Sequence, residues 1–494
     1  MDHELRNGPA FTRRRVVGMA AASLALATRA RGAIAAQAAT PEDFGAVSDL
    51  DGDNGTDNTA AFLALARFIN ATGGLARIGG RYRITRGFPI FAGTWEFADK
   101  ALVRNTTRDG KGFWTNTCVF IGTYFGYGPR DFGLTMEPAY PVLPLAAGAA
   151  RVRFAQPADA GHFPAGSLIF LTDANTYPGP GGRQTLFARS SHGSRVIANP
   201  GDGSLTLRDP LPLAIAAKGA VLPEARTDAG TVPIASLDGV PGNMARIARG
   251  VTIVNGAFES AAMGRSQAVH VACVDSNLDF RWVSGYECLG LNPVMDSTIS
   301  VRDAGYSATL FELAYDHFRV KAPVLFGRRV GQVPANLVPI IAVSEWGHSV
   351  AIGSIDVSDY AVPGDYPFRV AISVLTPMTS IQAAIVRGAQ YAALNIGALG
   401  TRANGSRVGV LKVVGYGSRA GAPGAAIVID ADDVKVSSLD VSGLARGGVA
   451  ARFSADSGRN VSIGDIQVEG SDPGAQPKRL DDRRSAAMRV PGTP

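Results

Sequence analysis

Short runs in which apolar and polar residues alternate recur through the second half of the chain, from residue 249 to residue 470. Each run begins with a polar residue, passes through several alternating positions and ends at glycine or another small residue. Arg249–Gly256, Ser297–Gly305 and Asn460–Gly470 show the pattern. Because successive side chains of a strand point to opposite faces, each run predicts a short, half-buried β-strand.

The runs follow one another at intervals of about 20 to 30 residues, a spacing typical of solenoid repeats. No helical pattern separates them, so a doubly wound α/β fold is not expected. A leucine-rich repeat would require a regular leucine frame and an asparagine ladder, and the runs have neither. The pattern predicts a parallel β-helix whose main part covers residues 223–472, followed by a disordered, proline- and arginine-rich tail over residues 473–494.

One helical pattern stands out near the N-terminus. Its apolar residues recur at helical spacing and are Ala61, Phe62, Leu65, Ala66 and Ile69. Asp57 or Asn58 is a suitable N-cap, and Gly73-Gly74 ends the helix because glycine tolerates positive φ. Asn70 lies outside the apolar stripe, so we expect its substitution to change little.

The order of elements around this helix resembles the opening of the pectate-lyase (pectin-lyase-like) superfamily. Asp43-Phe-Gly-Ala46 is followed by an acidic turn, the helix and the strand Arg81–Thr85. The chain departs from the family at Asp51-Gly-Asp53 and Asp57-Asn-Thr59, where the family usually has Gly-Asp-Gly and Asp-Asp-Thr. The resemblance implies an all-β fold, a single-stranded right-handed parallel β-helix, with the cap helix and first coils in residues 39–140.

Residues 141–222 interrupt the solenoid pattern. Short strand-like segments alternate there with proline, glycine and aspartate turns, as in Gly201-Asp-Gly203. The segments lack the coil length of the later repeats. We therefore predict a small β-rich insertion between the first coils and the main solenoid.

The first residues predict export. Thr12-Arg-Arg14 precedes an apolar run from Gly18 to Ala27, which resembles a twin-arginine signal peptide covering residues 1–38. The run is shorter than the roughly 20 residues that a membrane-spanning helix needs. The alternative is a disordered basic tail. The expected location is periplasmic or secreted, with no membrane association after removal of the signal.

Composition and charge narrow the class of partner. The formal net charge of +6 falls to +2 without residues 1–35, because six arginines and two acids lie there. The sequence contains no basic stripe with interleaved aromatic residues, so a nucleic-acid partner is not expected. Three cysteines, Cys118, Cys273 and Cys288, are too few for a disulfide framework. The composition carries no signal about oligomeric state.

Candidate chemistry concentrates between residues 285 and 370, where acids, histidine, tyrosine and arginine are dense. In the pectate-lyase superfamily, active sites usually lie on the outside of one parallel sheet. The resemblance implies an active site in that position and a polysaccharide substrate. The predicted catalytic residues are Glu287, Tyr306, Glu312, His317 and Arg319. The predicted substrate-binding residues are Lys321, Trp346, His348, Tyr360 and Arg369.

Two chemistries fit these residue types. Glycoside hydrolysis needs two carboxyl groups, for which Glu287, Asp303, Glu312 and Asp316 are candidates. β-Elimination on a uronic acid needs a base and a neutralising cation, for which Tyr306, His317, Arg319, Lys321 and Arg369 are candidates. Strand parity allows Glu312 to face outward only if the strand bends or ends near Phe311.

The function predicted is an exported enzyme, a polysaccharide lyase or glycoside hydrolase, acting on an acidic polysaccharide. The polygalacturonase motifs Asn-Thr-Asp, Gly-His-Gly and Arg-Ile-Lys are missing in the expected order. A non-catalytic carbohydrate-binding or tailspike-like structural protein is the main alternative, and a polysaccharide epimerase is a weaker one.

No metal site or cofactor is predicted, although the acidic turn leaves Ca²⁺ open as an alternative. Asp49, Asp51, Asp53 and Asp57 offer carboxylate oxygens. A calcium-binding EF-hand loop counted from Asp49 would need glycine at its sixth position and glutamate at its twelfth. Those positions hold Asn54 and Ala60, which favours a turn with a helix cap.

Overall fold

The computed structural model describes residues between 38 and 483. The predicted signal lies outside the described residues, as do 109–115, 123–139, 174–176, 179–183, 186–190, 216–218, 224–246, 263–266, 315–316, 332–338, 345–346, 361, 363–368, 390, 398–402, 417–424, 445–447, 455–458, 471–477 and 484–494.

The first coils consist of a short 3₁₀ turn, one helix and six strands. They are the turn Pro41–Phe44, α1 (Thr59–Thr72), β1 (Leu75–Ile78), β2 (Arg81–Ile84), β3 (Phe88–Ile90), β4 (Thr94–Phe97), β5 (Leu102–Asn105) and β6 (Val119–Ile121). Helix α1 confirms the predicted cap. Phe62, Leu65 and Ile69 are fully buried, and the Phe62 ring lies 5.2 Å from Tyr82 and 5.1 Å from Phe88 between centroids.

Asn70 makes contacts that the sequence did not predict, and they argue against the expectation that its substitution changes little. Its side-chain amide donates to the carbonyl of Pro89 (3.0 Å) and accepts from the backbone amides of Phe91 (2.7 Å) and Ala92 (3.2 Å). Asn70 therefore clamps the helix to the turn after β3. An apolar stripe on a helical wheel reports burial, and it gives no information about polar side chains that bind a neighbouring loop.

The insertion is antiparallel. Its elements are β7 (Tyr140–Pro141), β8 (Arg151–Arg153), the 3₁₀ turn Pro157–His162, β9 (Leu168–Asp173), β10 (Tyr177–Pro178), β11 (Gln184–Thr185), β12 (Ser191–Ala198), β13 (Ser204–Leu207) and β14 (Gly219–Pro223). Six of these strands form one sheet in the order β7-β14-β9-β12-β13-β8. The sheet has a hydrophobic core of its own, which includes Val152, Phe163 and Leu205.

The main solenoid begins with long strands that turn corners. They are β15 (Ala248–Arg249), β16 (Thr252–Ser260), β17 (Gln267–Val274), β18 (Asn277–Met295), β19 (Thr298–Val301), β20 (Ala304–Leu313), β21 (His317–Phe318), β22 (Lys321–Phe326), β23 (Arg328–Arg329), β24 (Ile341–Val343) and β25 (Gly347–His348). It continues with β26 (Ala351–Ser358), β27 (Val370–Val374), β28 (Ser380–Arg387), β29 (Ala392–Ile396), β30 (Arg407–Val414), β31 (Ala425–Ile429), β32 (Lys435–Leu444), β33 (Val449–Phe453), β34 (Ser462–Gly470) and β35 (Lys478–Asp482).

The 27 solenoid strands form one hydrogen-bonded assembly that bends into three faces. The first face stacks β1, β4, β16, β18 and β19 and continues through β22 to β34. The second stacks β2, β5 and the middle of β18 and β20. The third stacks β3, β6, β17, Glu287–Leu291, Thr309–Leu313 and β24, and continues to β35. The pairings within these faces are parallel, so the predicted all-β right-handed parallel β-helix is confirmed.

A corner in the left-handed backbone region leads each main coil into the first face. Residues at this corner include Asp275, Asp296, Arg319 and Ser349, with φ between 50° and 61°. Aspartate adopts this conformation more readily than most residues, whereas arginine rarely does. The corner matters here because the insertion packs against it.

The predicted disordered tail is corrected in part. Strand β35, Lys478–Asp482, pairs in parallel with Val449–Phe453 and adds one more coil. Leu480 packs against the core, and Asp481 pairs with Arg452 at 3.1 Å. Proline and arginine in the flanking sequence hid this strand. Among the described residues no helix is long and apolar enough to cross a membrane.

Candidate functional site

Two glutamates lie on the outside of the third face, on neighbouring strands. Glu287 of β18 is opposite Thr309 in β20, and Glu312 of β20 is opposite Gly290 in β18. On the other side of β18, Gly290 is opposite His270 of β17. Adjacent strands lie about 4.8 Å apart, so side chains from these strands can act on the same ligand.

A bend in β20 turns Glu312 outward. Leu310 and Phe311 are consecutive, yet both belong to the hydrophobic core. Their backbone amides both donate to the carbonyl of Ile340, at 2.8 and 3.1 Å. This irregularity changes the parity of the strand, so Glu312 leaves the core between Phe311 and Leu313. The condition that strand parity set for Glu312 is therefore met.

The half-buried position of Glu312 makes it a weak acid. Its pKa is raised from 4.5 to about 8, mainly because the surrounding protein removes solvent from the carboxylate and also because Glu287 is negatively charged. Both causes favour the protonated carboxyl group. At neutral pH the third face therefore presents a protonated carboxyl group, with the carboxylate of Glu287 on the neighbouring strand near enough to act on it electrostatically.

Two further residues, Gln267 and His270 of β17, complete the cluster. The Gln267 side chain donates from Nε2 to Glu287 Oε2 (3.3 Å), and its Oε1 lies 3.0 Å from His270 Nδ1. Both residues are buried, and the His270 ring packs 6.0 Å from Phe120 between centroids. Sequence reasoning missed them; the available signal was a pair of polar side chains within the otherwise apolar strand Gln267–Val274.

Tyr306, a predicted catalytic residue, lies inside the solenoid and not on its outer surface. It is fully buried in the solenoid core, where its hydroxyl donates to the carbonyl of Ser358 and accepts from the Ser358 amide (3.1 Å). Burial raises the pKa of this hydroxyl well above its usual value. The side chain bridges two coils from the inside, so its hydroxyl is committed to backbone groups.

His317 is also inside the solenoid. It follows Cys273 and Val294, both core residues, in the same column of paired strands. Its Nε2 lies 2.8 Å from the hydroxyl of Thr376, and the ring occupies the space above Gly347. The bulges in this region obscured its parity in the sequence.

Arg319 and His348 bind the insertion. Arg319 forms two bonds with Asp296 (Nε–Oδ1 2.6 Å, Nη2–Oδ2 3.1 Å) and donates to the carbonyl of Gly193 (3.0 Å). His348 Nε2 lies 2.9 Å from His192 Nδ1, with the two rings stacked at 5.1 Å. We name this contact the insertion interface, formed by His192, His348, Arg319, Arg208, Asp209 and Asp296.

The remaining predicted residues are dispersed. Arg369 is buried, pairs with Asp359 at 3.4 Å and donates to the carbonyl of Ala308 (2.5 Å). Lys321 is exposed at the start of the first face, and Tyr360 is 58% exposed, its ring lying over Gly388. Asp303 lies in the turn before β20, and Trp346 and Asp316 lie outside the described residues.

The carboxylates of the acidic turn form hydrogen bonds and an ion pair with neighbouring residues of the protein. Asp49 accepts from the Thr56 amide and hydroxyl (both 2.8 Å), Asp53 pairs with Arg104 (2.6 Å), and Asp57 accepts from the Thr85 hydroxyl (2.6 Å). In the part of the chain that the structure describes, no group of three acidic, histidine or cysteine side chains could hold a metal ion.

Comparisons with known proteins found structural likeness only. No family model matches the chain, and no curated protein matches it. The tailspike gp61 of Pseudomonas phage phi297 aligns with 87% of this chain and 75% of its own, at 13% identity and TM-score 0.44. The tailspike gp49 of Pseudomonas phage LKA1 aligns with 90% and 81%, at 12% identity and TM-score 0.33. The Gp54 tailspike of Acinetobacter baumannii bacteriophage AP22, in complex with A. baumannii capsular saccharide, aligns with 91% and 76%, at 8% identity and TM-score 0.40.

Proposed function

We propose that the protein hydrolyses a glycosidic bond of a polysaccharide, with Glu312 as general acid and Glu287 as the base or nucleophile. The observation that carries the proposal is the pair of carboxyl groups on the third face, in which the pKa of Glu312 is raised to about 8. Glycoside hydrolases use two carboxyl groups whose surroundings separate their pKa values.

The chemistry follows from the two protonation states. Protonated Glu312 donates its proton to the glycosidic oxygen as the carbon–oxygen bond breaks, which gives the leaving sugar its hydroxyl group. Ionised Glu287 either removes a proton from the attacking water or attacks the anomeric carbon itself. Both routes consume one water. In the first, Glu287 ends protonated and Glu312 ionised, so a proton must pass from Glu287 to Glu312 through solvent before the next cycle. In the second, Glu312 takes the proton of the water that hydrolyses the glycosyl–enzyme ester and is restored directly.

Hydrolysis is favoured over β-elimination because four of the five predicted lyase residues have other contacts; the fifth, Lys321, is exposed. Tyr306 and His317 lie inside the solenoid, and Arg319 and Arg369 are paired with aspartates. A lyase needs a cation to neutralise the substrate carboxylate next to the base. The carboxyl pair instead provides an acid and a base.

Export through the twin-arginine route, to the periplasm or the outside, completes the proposal. Its support is Thr12-Arg-Arg14 before the apolar run. Replacing Arg13 and Arg14 by lysine should abolish processing of the precursor. Normal processing and periplasmic recovery of that variant would contradict it.

The enzymatic proposal is tested with a panel of neutral and uronate-containing polysaccharides. We expect new reducing ends without ultraviolet absorbance from an unsaturated uronate, and their loss in Glu312→Gln and Glu287→Gln. Glu469→Gln is the matched control, since that glutamate is exposed on β34. Unsaturated products would show a lyase; binding of a polysaccharide without cleavage, or full activity in both site variants, would overturn the proposal.

A further inference from the structure

The hydrogen bonds of Gln267 have a fixed direction. A side-chain amide nitrogen can only donate, so the contact of Gln267 Nε2 with Glu287 Oε2 at 3.3 Å is donated by the amide N–H. The amide oxygen, Oε1, then faces His270 Nδ1 at 3.0 Å and must accept from it. His270 therefore carries its proton on Nδ1, and the chain of donors runs from His270 through Gln267 to Glu287.

Gly290 provides the space for this series of hydrogen bonds. A Cβ atom at position 290 would lie 1.7 Å from Gln267 Nε2 and 1.9 Å from its Cδ. The backbone at Gly290 does not have positive φ, so its conformation does not require glycine. The Gln267 amide occupies the place of a side chain at 290, between His270 and Glu312 in the pairing order.

Burial makes the hydrogen-bonded series His270–Gln267–Glu287 rigid. Gln267 is 6% exposed, and His270 is fully buried against Phe120. A buried amide that both accepts and donates has little freedom to rotate, because each alternative orientation would leave a polar atom without its bond. The imidazole thus fixes the amide, and the amide directs an N–H at one oxygen of Glu287.

We propose that Gln267, fixed by His270, is a positioning residue that keeps the negative charge on Glu287 and so leaves the proton of the pair on Glu312. The inference rests on the proposed function and assigns the two glutamates their separate roles. A hydrogen bond donated to a carboxylate stabilises its charged form, whereas Glu312 is left with burial and the repulsion of Glu287.

The first test does not depend on activity. Nitrogen-15 spectra of histidine-labelled protein report which ring nitrogen carries the proton. We expect His270 to be the Nδ1–H tautomer in the parent and to lose that preference in Gln267→Met and in Gly290→Ala. An Nε2–H tautomer in the parent, or an unchanged tautomer in both variants, would overturn the proposed chain.

The second test uses the pH profile of hydrolysis. In Gln267→Met we expect kcat/KM to fall about 10- to 100-fold, because Glu287 loses its fixed orientation. The acidic limb should move up by about one pH unit, since Glu287 then takes up a proton more readily. Gln382→Met, on the exposed side of β28, should leave both quantities unchanged. A lower rate with an unmoved acidic limb would indicate a purely structural role and overturn the proposal.

Conservative replacement separates positioning from packing. His270→Asn places a side-chain N–H near the position of Nδ1 and should restore most of the activity that His270→Phe loses. Equal loss in both variants would contradict the assignment. If the parent cleaves no glycosidic bond, the proposed function fails, while the tautomer result still decides whether the chain of donors exists.

Discussion

Two regions on the outside of the solenoid bury titratable side chains, and they do so in opposite ways. At the insertion interface, Arg319 and Arg208 both bind Asp296, at 2.6 and 2.5 Å, and Arg319 also lies 3.4 Å from Asp209. At the third face, Glu287 and Glu312 are two acidic groups that would repel each other if both were ionised. Oppositely charged pairs hold the insertion against the solenoid, whereas two neighbouring carboxyl groups favour a state in which one of them is protonated.

The histidines of the interface show how a buried titratable pair can be fully used for structure. His192 Nε2 lies 3.0 Å from the carbonyl of Asp209, to which it must donate. Neutral His192 then accepts at Nδ1 from His348 Nε2, and His348 accepts at Nδ1 from the Ser349 hydroxyl (3.0 Å). All four ring nitrogens have a partner. Burial lowers the pKa of His192 to about 4 and that of His348 to about 2, so both stay neutral.

The largest expected difference between the regions is in catalysis. Glu312→Gln should lower turnover by about 10² to 10⁴-fold, since it removes the proton donor and keeps the shape. His348→Gln should change turnover little, because that side chain binds the insertion. Rate measurements on one cleaved substrate decide the comparison. Similar losses in the two variants would show that the interface also takes part in the reaction.

The next largest effect is on stability, where we expect the insertion interface to matter more than the third face. Asp296→Asn should lower the free energy of unfolding by about 2 to 3 kcal/mol, because two arginines lose a partly buried partner. Asp440→Asn is the control, since its pair with Lys412 at 3.2 Å is largely exposed. That variant should cost less than about 1 kcal/mol in urea unfolding. Equal losses of unfolding free energy in the two variants would show that the ion pairs of the insertion interface stabilise the protein no more than an exposed pair does.

The pH dependence of stability should have opposite signs in the two regions. The folded-state pKa of Glu312 is raised from 4.5 to about 8, so its contribution is complete below 4.5 and is lost as the pH rises through 8. The folded-state pKa of His192 is lowered from 6.5 to about 4. Its contribution is therefore present above 6.5 and is lost as the pH falls through 4.

This contrast is the smallest of the expected effects and needs unfolding curves at several pH values. Relative to the parent, Glu312→Gln should gain stability as the pH rises from 4.5 to 8, reaching more than about 1 kcal/mol. His192→Gln should gain relative stability as the pH falls from 6.5 to 4. Differences that do not vary with pH would contradict the buried state of these groups.

Alternation and spacing predicted the solenoid and the cap helix because these depend on local parity and burial. The outward position of Glu312 was predicted only on the condition of a bend near Phe311, which the structure supplies. Tyr306 and His317 were misplaced because bulges change strand parity without a signature in the sequence. The contacts of Arg319 and His348 with the insertion were not predicted because their partners, Gly193 and His192, lie 126 and 156 residues away in the chain. A stretch of sequence dense in polar residues can form either a contact between two parts of the protein or a candidate active site. Only the three-dimensional structure distinguishes the insertion interface from the carboxyl pair of the third face.

The protonation state of Glu312 tests the central claim most directly. Carboxyl-labelled glutamate, assigned with Glu312→Gln, allows its titration to be followed by carbon-13 spectroscopy in the folded protein without substrate. We expect a protonated carboxyl at neutral pH with a pKa of about 8, which falls when Glu287 is replaced by glutamine. Titration of Glu312 near its ordinary value of 4.5, unaffected by Glu287→Gln, would contradict it.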